Sequence, residues 1–188
     1  MIEKDVKIKE LNFFKDGSFY IHGFFDDTIS KNITHELIKK IESEKNKCEA
    51  DRLIKFYINS DGGFVCYLND LLALIEKAKK EKIRVETYVF GRAYSCGSML
   101  ACSGTKGHRY ISEFAEHLCH LGSASTGRVY NDTELKREAA LVQAHFDFVR
   151  KLYKKYAKIK NLEKVISDDR FYIRGKNIIK NGLADKIF

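Results

Sequence analysis

Apolar residues recur along this chain with two periods, and the alternation between them sets out most of the architecture. Residues 28–44 place Ile29, Ile33, Leu37, Ile38 and Ile41 three or four apart, the spacing that lines one face of a helix. Residues 65–80 do the same with Leu68, Leu71, Leu72 and Ile75. Between and around them, residues 19–25, 53–59 and 83–90 are rich in β-branched and aromatic side chains and read as strands. Strand and helix therefore alternate, which predicts an α/β protein built on a largely parallel sheet. Further on, Arg109-Tyr110-Ile111 and His117-Leu118-Cys119 read as short strands, and residues 122–127 are small and polar, as in a flexible segment. Asn131 then caps a long helix, with Glu134 completing a capping-box pattern and Leu135, Ala139, Val142, Phe146, Val149, Tyr153 and Tyr156 recurring every three or four residues to about position 158. That stripe is more than one small core covers, so the helix is expected to pack against another subunit.

At 188 residues and 44% hydrophobic composition, the chain suffices for one sizeable core, and a single domain over 1–188 is expected. No apolar run reaches the roughly 20 residues that cross a bilayer, and Met1-Ile2-Glu3-Lys4-Asp5-Val6-Lys7 has no apolar secretion core. A soluble, cytoplasmic protein without membrane association is expected. The formal charge of +8 raises the possibility of nucleic acid, but lysines and glutamates are interleaved over 39–45 and 76–82 as on a solvated helix face, so no nucleic-acid partner is expected. Five cysteines, Cys48, Cys66, Cys96, Cys102 and Cys119, form no C-x-x-C pair, which suits free thiols in a reducing compartment. Neither metal-ligand spacing nor a cofactor motif is present, and none is expected.

Chemistry concentrates in residues 91–101, where Ser95 lies among small residues between a strand-like and a helix-like run. A serine on such a turn presents its hydroxyl at the sheet edge, beside backbone N–H groups that stabilise an anion. It needs a base and a group to orient that base. His120 follows 25 residues later (120 − 95), and Asp169 lies 49 beyond it (169 − 120). Gly62-Gly63 can turn a backbone N–H toward a reacting carbonyl, and Cys96 supplies a second N–H beside the serine. Each residue alone has a plainer reading: a helix-capping serine, a core histidine, an aspartate in a loop cap or surface ion pair. A thiol catalyst at Cys96 or Cys119 is a weaker alternative.

Ser60-Asp61-Gly62-Gly63 after a strand, then residues 91–97, then Gly104-Thr105-Lys106-Gly107-His108-Arg109-Tyr110, together resemble the proteolytic subunit of the Clp protease. The likeness continues through His120, Asp169-Arg170-Phe171 and the closing Asn181-Gly182-Leu183-Ala184-Asp185, covering roughly residues 19 to 188. It implies the crotonase-like and ClpP-like β-β-α superhelix, with a protruding handle helix over about 128–158. It also implies a serine endopeptidase with the triad Ser95, His120 and Asp169 and an oxyanion hole at Gly63 and Cys96. Peptide or unfolded protein would be held along Phe64, Val65, Ser123 and Ala124, inside a homo-oligomer of two stacked heptameric rings served by a Clp-family ATPase.

The chain departs from that family at several points. Asp61 stands where the family usually has proline, which brings a negative charge close to the oxyanion site and is expected to reduce activity. Cys96 replaces a methionine, Leu121-Gly122 replaces Gln-Pro, and the segment 1–18 is short and lacks the family's amino-terminal motif. Asp169 is preferred to Asp168 because Arg170-Phe171 follows it. Two other readings remain: a crotonase-fold enzyme acting on acyl-CoA, and a catalytically impaired ring or scaffold subunit.

Overall fold

The computed structural model describes residues 14–123, 131–168 and 171–188. Its first feature is a hairpin of β1 (Phe14–Lys15) and β2 (Ser18–Phe25), joined by Asp16-Gly17 with φ of 51° and 74°. Two consecutive left-handed residues form the turn whose twist matches paired strands, and Asp-Gly is a favoured sequence for it. The hairpin was not anticipated above, although that dipeptide signals it. Helix α1 (Asp27–Lys45) begins where the Asp26 carboxylate accepts from the Thr28 N–H at 3.0 Å. Strand β3 (Leu53–Gly63), helix α2 (Val65–Lys80), strand β4 (Arg84–Tyr94) and helix α3 (Cys96–Cys102) follow. Beyond them come β5 (Arg109–Ile111), β6 (Glu116–Leu118), α4 (Asp132–Tyr156), α5 (Leu162–Ile166), β7 (Tyr172–Arg174), α6 (Lys176–Lys180) and β8 (Lys186–Ile187).

The sheet runs β1-β2-β3-β4-β5-β8, parallel from β2 to β8, with β6 and β7 attached beside the far end of β4. Ile54, Phe56 and Ile58 of β3 turn to one face, where Ile33 and Leu37 of α1 and Leu68 and Ile75 of α2 are buried with them in one core. The opposite face carries a ladder of Tyr20, Tyr57, Tyr88 and Tyr110, with ring centroids 5.2, 5.1 and 4.8 Å apart in succession. Phe90 and Phe188 lie exposed beside it.

Strand β4 extends past residue 90, further than its hydrophobic pattern indicates, because it changes partners. Its first half pairs with β5 and its second half with β6. Between the halves Phe90-Gly91-Arg92 oppose Asn59 alone, a bulge filled by the Asn59 amide oxygen, which accepts from the Arg92 N–H at 3.3 Å. The helix after β4 starts at Cys96, directly behind Ser95.

The long helix carries the expected capping box, both Asn131–Glu134 hydrogen bonds measuring 3.0 Å, and ends at Tyr156. Its stripe divides in two. Its Val149 and Tyr153, with Leu152 beside them, are buried in the core, whereas Leu135 in the first turn of the helix is exposed, as are Leu141 and Phe148, which lie off the stripe. No helix among the described residues is long and apolar enough to cross a membrane.

Candidate active site

Ser95 occupies the turn between β4 and α3 with φ 53° and ψ −117°, a conformation that costs a non-glycine residue about 1–3 kcal/mol. It stands at the N-cap of α3 yet its side chain makes no capping hydrogen bond. The plainer reading of Ser95 as a capping serine therefore does not hold, and its hydroxyl interacts with the neighbouring Cys96 thiol instead. The half-buried residue is fastened through its backbone, its N–H donating to the Leu118 carbonyl at 2.8 Å and its carbonyl accepting from Met99 at 3.1 Å.

The same bond to Leu118 brings the chain of His120 alongside. Strand β6 pairs Leu118 with Tyr94, so His120 lies two residues, about 7 Å of extended chain, past the residue that Ser95 holds. On its other side this segment is held by Leu121, whose N–H donates to the Ile166 carbonyl at 2.9 Å, and by the antiparallel pairing of Leu118 with Tyr172. Ile166 and Tyr172 thus bracket His120 and bring up the chain that carries Asp168 and Phe171. Asp169 itself lies outside the described residues, as does Ala124.

The turn at the end of β3 presses directly on Ser95. Gly62 has φ 95°, and a Cβ there would fall 2.5 Å from the Ser95 Cβ and 2.8 Å from the Tyr94 carbonyl oxygen, so no side chain fits. Gly63 is equally confined on its other flank, where a Cβ would meet the Phe25 carbonyl oxygen at 2.4 Å. The Gly63–Phe64 peptide is held from both ends: its N–H donates to the Phe25 carbonyl at 2.9 Å, and its carbonyl accepts from the Cys96 thiol at 3.1 Å. Successive residues of a strand direct their N–H and C=O groups to alternate edges. With Phe64 bonded to β2, the polar groups of Gly63 face Cys96 and Ser95. The Ser60 hydroxyl supports the turn from below, donating to Gly23 at 2.5 Å and accepting from the Gly62 N–H at 3.0 Å.

Cys96 is fully buried, and burial pushes its thiol up to about 12. It is a protonated donor at neutral pH, not a thiolate nucleophile. The Cys119 thiol, also buried, is pushed up to about 11. Sequence reasoning gave Cys96 a backbone donor role and, as a weaker alternative, a catalytic thiol; the thiol contact to Gly63 had no signal in the sequence because it depends on the register of β3 against α3.

The charge at Asp61 is not loose near the site: its carboxylate pairs with Arg92 at 2.8 Å, both side chains about half exposed at 48%. The expected electrostatic penalty is therefore offset by the neighbouring guanidinium. Phe64 is exposed at 59% and Val65 opens α2 half-buried beside Gly63, while Ser123 is exposed. Behind the site, Ser98 Oγ lies 3.0 Å from His117 Nδ1 and 3.3 Å from the Cys119 sulfur, tying α3 to β6 through a buried polar contact. Burial, with the nearby Arg109 charge, lowers the His117 imidazole to about 3, so it is neutral. Its Nε2 has no hydrogen-bond partner among the described residues.

A family model described as Clp protease matches residues 5–188. The ATP-dependent Clp protease proteolytic subunit of Streptococcus uberis (strain ATCC BAA-854 / 0140J) is 30% identical over 155 residues, which is 82% of this chain and 68% of that protein. The subunit of the same name from Streptococcus mutans serotype c is 28% identical over 189 residues, covering 92% of this chain and 85% of its own length. That of Lactococcus lactis subsp. lactis is 31% identical over 121 residues, 64% of this chain and 57% of its own.

Proposed function

The chain belongs to the Clp protease family, and on that footing we propose that residues 1–188 form one serine endopeptidase domain with Ser95 as nucleophile. His120 removes the Ser95 proton as the hydroxyl attacks a peptide carbonyl, and Asp169 holds the imidazole in the required tautomer. The N–H groups of Gly63 and Cys96 stabilise the oxyanion. Collapse of the tetrahedral species breaks the C–N bond as His120 protonates the leaving amine. Water, activated by the same histidine, then releases the acyl group from Ser95. The extended backbone at Phe64-Val65 and Ser123-Ala124 holds the peptide as an added strand, which gives weak sequence preference.

The observation that carries this reading is the conformation of Ser95: a strained strand-to-helix turn, pressed by a side-chain-free Gly62, with a hydroxyl not spent on capping. Two uncovered apolar surfaces, the exposed Leu135, Leu141 and Phe148 of α4 and the aromatic face of the sheet, support action within an assembly. The assembly we infer is two stacked heptameric rings joined through α4, in the cytoplasm and served by a Clp-family ATPase.

Labelling of the purified, assembled protein with a fluorophosphonate tests the proposal. A covalent adduct on Ser95, lost in Ser95→Ala and strongly reduced in His120→Ala, is the expected result. An adduct retained by Ser95→Ala, or none on the assembled wild type, overturns it.

A further inference from the structure

The positive charge of this chain is concentrated at the end of the molecule opposite Ser95. There a cleft of about 800 Å³ opens between the start of β4, the turn over 103–109, the end of α4 and residues 179–185. Eight lysine and arginine side chains line it and Asp185 is the one acid on its wall. Asp185 is already taken by Arg109, at 2.9 and 2.7 Å through Nε and Nη2. Acids outside the wall reach four more of the cations: Glu76 pairs with Lys79 and Lys155, Glu49 with Lys82, and Glu86 with Arg84. Lys106, Lys154 and Lys158 have no acidic partner among the described residues. Setting the four acids against the eight cations leaves four positive charges, half of the net +8 of the whole chain.

Lysines at a helix C-terminus complement its dipole, which accounts for Lys79, Lys154 and Lys155. Lys82 and Lys158 directly follow the C-caps of α2 and α4, but the dipole does not account for Lys106, which lies on the turn between α3 and β5. Nor is the cleft wholly polar: Ile83, Ala157, Ile179 and Ala184 contribute to its lining, and Tyr156 presents a ring with Lys79 and Lys155 at 5.1 and 4.9 Å from its centroid. A single inorganic anion uses a small part of such a volume, which falls within the range of about 300–1,000 Å³ usual for small-molecule sites.

We propose that this cleft binds a di- or triphosphate ester of nucleotide size. Lys106, Lys154 and Lys158 hold the phosphate chain, and the organic part lies against Tyr156, Ile83 and Ile179. The cleft does not include Ser95: its wall reaches α3 only at Cys102, seven residues or about 10 Å of helix beyond the serine. Its influence falls on stability instead, because the Arg109 guanidinium at its base also donates to the carbonyls of Cys102 and Tyr156, the ends of α3 and α4.

Calorimetric titration and thermal denaturation of the purified, assembled protein test the site, with ADP, inorganic tripolyphosphate and adenosine as probes in about 0.1 M salt, where screening suppresses diffuse attraction. ADP is expected to bind in the micromolar range and raise the melting temperature, tripolyphosphate to bind more weakly, and adenosine not to bind. Lys106→Glu/Lys158→Glu should weaken ADP about tenfold or more, each factor of ten corresponding to ~1.4 kcal/mol, with Ser95 labelling unchanged. Reversing Lys31 and Lys39, exposed lysines of α1, should leave ADP binding as in wild type. No ADP binding to wild type, equal binding to the Lys106→Glu/Lys158→Glu protein, or an equal loss in the α1 variant overturns the proposal. Tripolyphosphate binding as tightly as ADP overturns the assignment of an ester.

Discussion

Ser95 keeps an unfavourable backbone conformation because Gly62 and Gly63 allow the β3 turn to close over it, and each neighbour then restrains the next. Gly62→Ala sets a methyl group 2.5 Å from the Ser95 Cβ. It should cut the rate of fluorophosphonate labelling at least about tenfold while leaving the sheet intact by circular dichroism, since about 1–3 kcal/mol of strain is at stake. Cys96→Ala keeps the backbone donor and removes the thiol that holds the Gly63 carbonyl. A hydrogen bond of this kind contributes about 1 kcal/mol, so peptide turnover should fall about fivefold in kcat with KM little changed, and Cys96→Ser should recover most of it. His117 gives a pH signature. Its folded pKa of about 3 lies below the unfolded value of 6.5, so the neutral ring contributes stability that is complete above pH 6.5 and is lost as pH falls toward 3. Denaturant unfolding at pH 5 and pH 7 should show this loss, at up to about 1.4 kcal/mol per pH unit, and His117→Leu should flatten it. Ser95 and Gly63 were legible from small residues flanking strand ends. The thiol contact and the Asp61–Arg92 pair were not, because each depends on which strand register brings two distant residues together.

Most elements announced themselves locally: α1, α2 and α4 by their apolar stripes, β2 and β3 by their β-branched and aromatic residues. The pattern failed where a strand changes neighbours. Residues 90–92 of β4 have no consistent inward face, since the bulge lifts them out of the ladder opposite Asn59, and a strand without alternation reads as loop. β7 was likewise unmarked, having three residues and an inward face of one, Ile173. Helix α4 shows the opposite case, a stripe legible in sequence accompanied by exposed apolar residues that lie off it. The buried Val149, Leu152 and Tyr153 hold it to the core, while Leu141 and Phe148 lie open at 61% and 36% exposure. Leu141→Glu/Phe148→Glu should leave the subunit folded and shift its sedimentation toward smaller assemblies. An unchanged sedimentation profile would exclude this face from subunit contact.

At the scale of the molecule, residues distant in sequence close the structure. The Arg109 guanidinium, 5% exposed, joins α3, α4 and the C-terminal segment by pairing with Asp185, 76 residues later, whose carboxylate also accepts from the Gly107 N–H at 2.7 Å. Breaking a buried pair of this kind costs about 3–5 kcal/mol, so Asp185→Ala should be less stable to urea by that order, whereas a change at the exposed Asp132–Lys136 pair should be nearly silent. The pairing also has a consequence for biosynthesis. While the ribosome is still adding residues beyond Lys180, Arg109 has been made but its counter-ion has not, and a nascent chain has no means of neutralising that guanidinium by its native partner. Synthesis past residue 185, rather than collapse of the early core, is thus the event that supplies the counter-ion of the guanidinium joining the ends of α3 and α4.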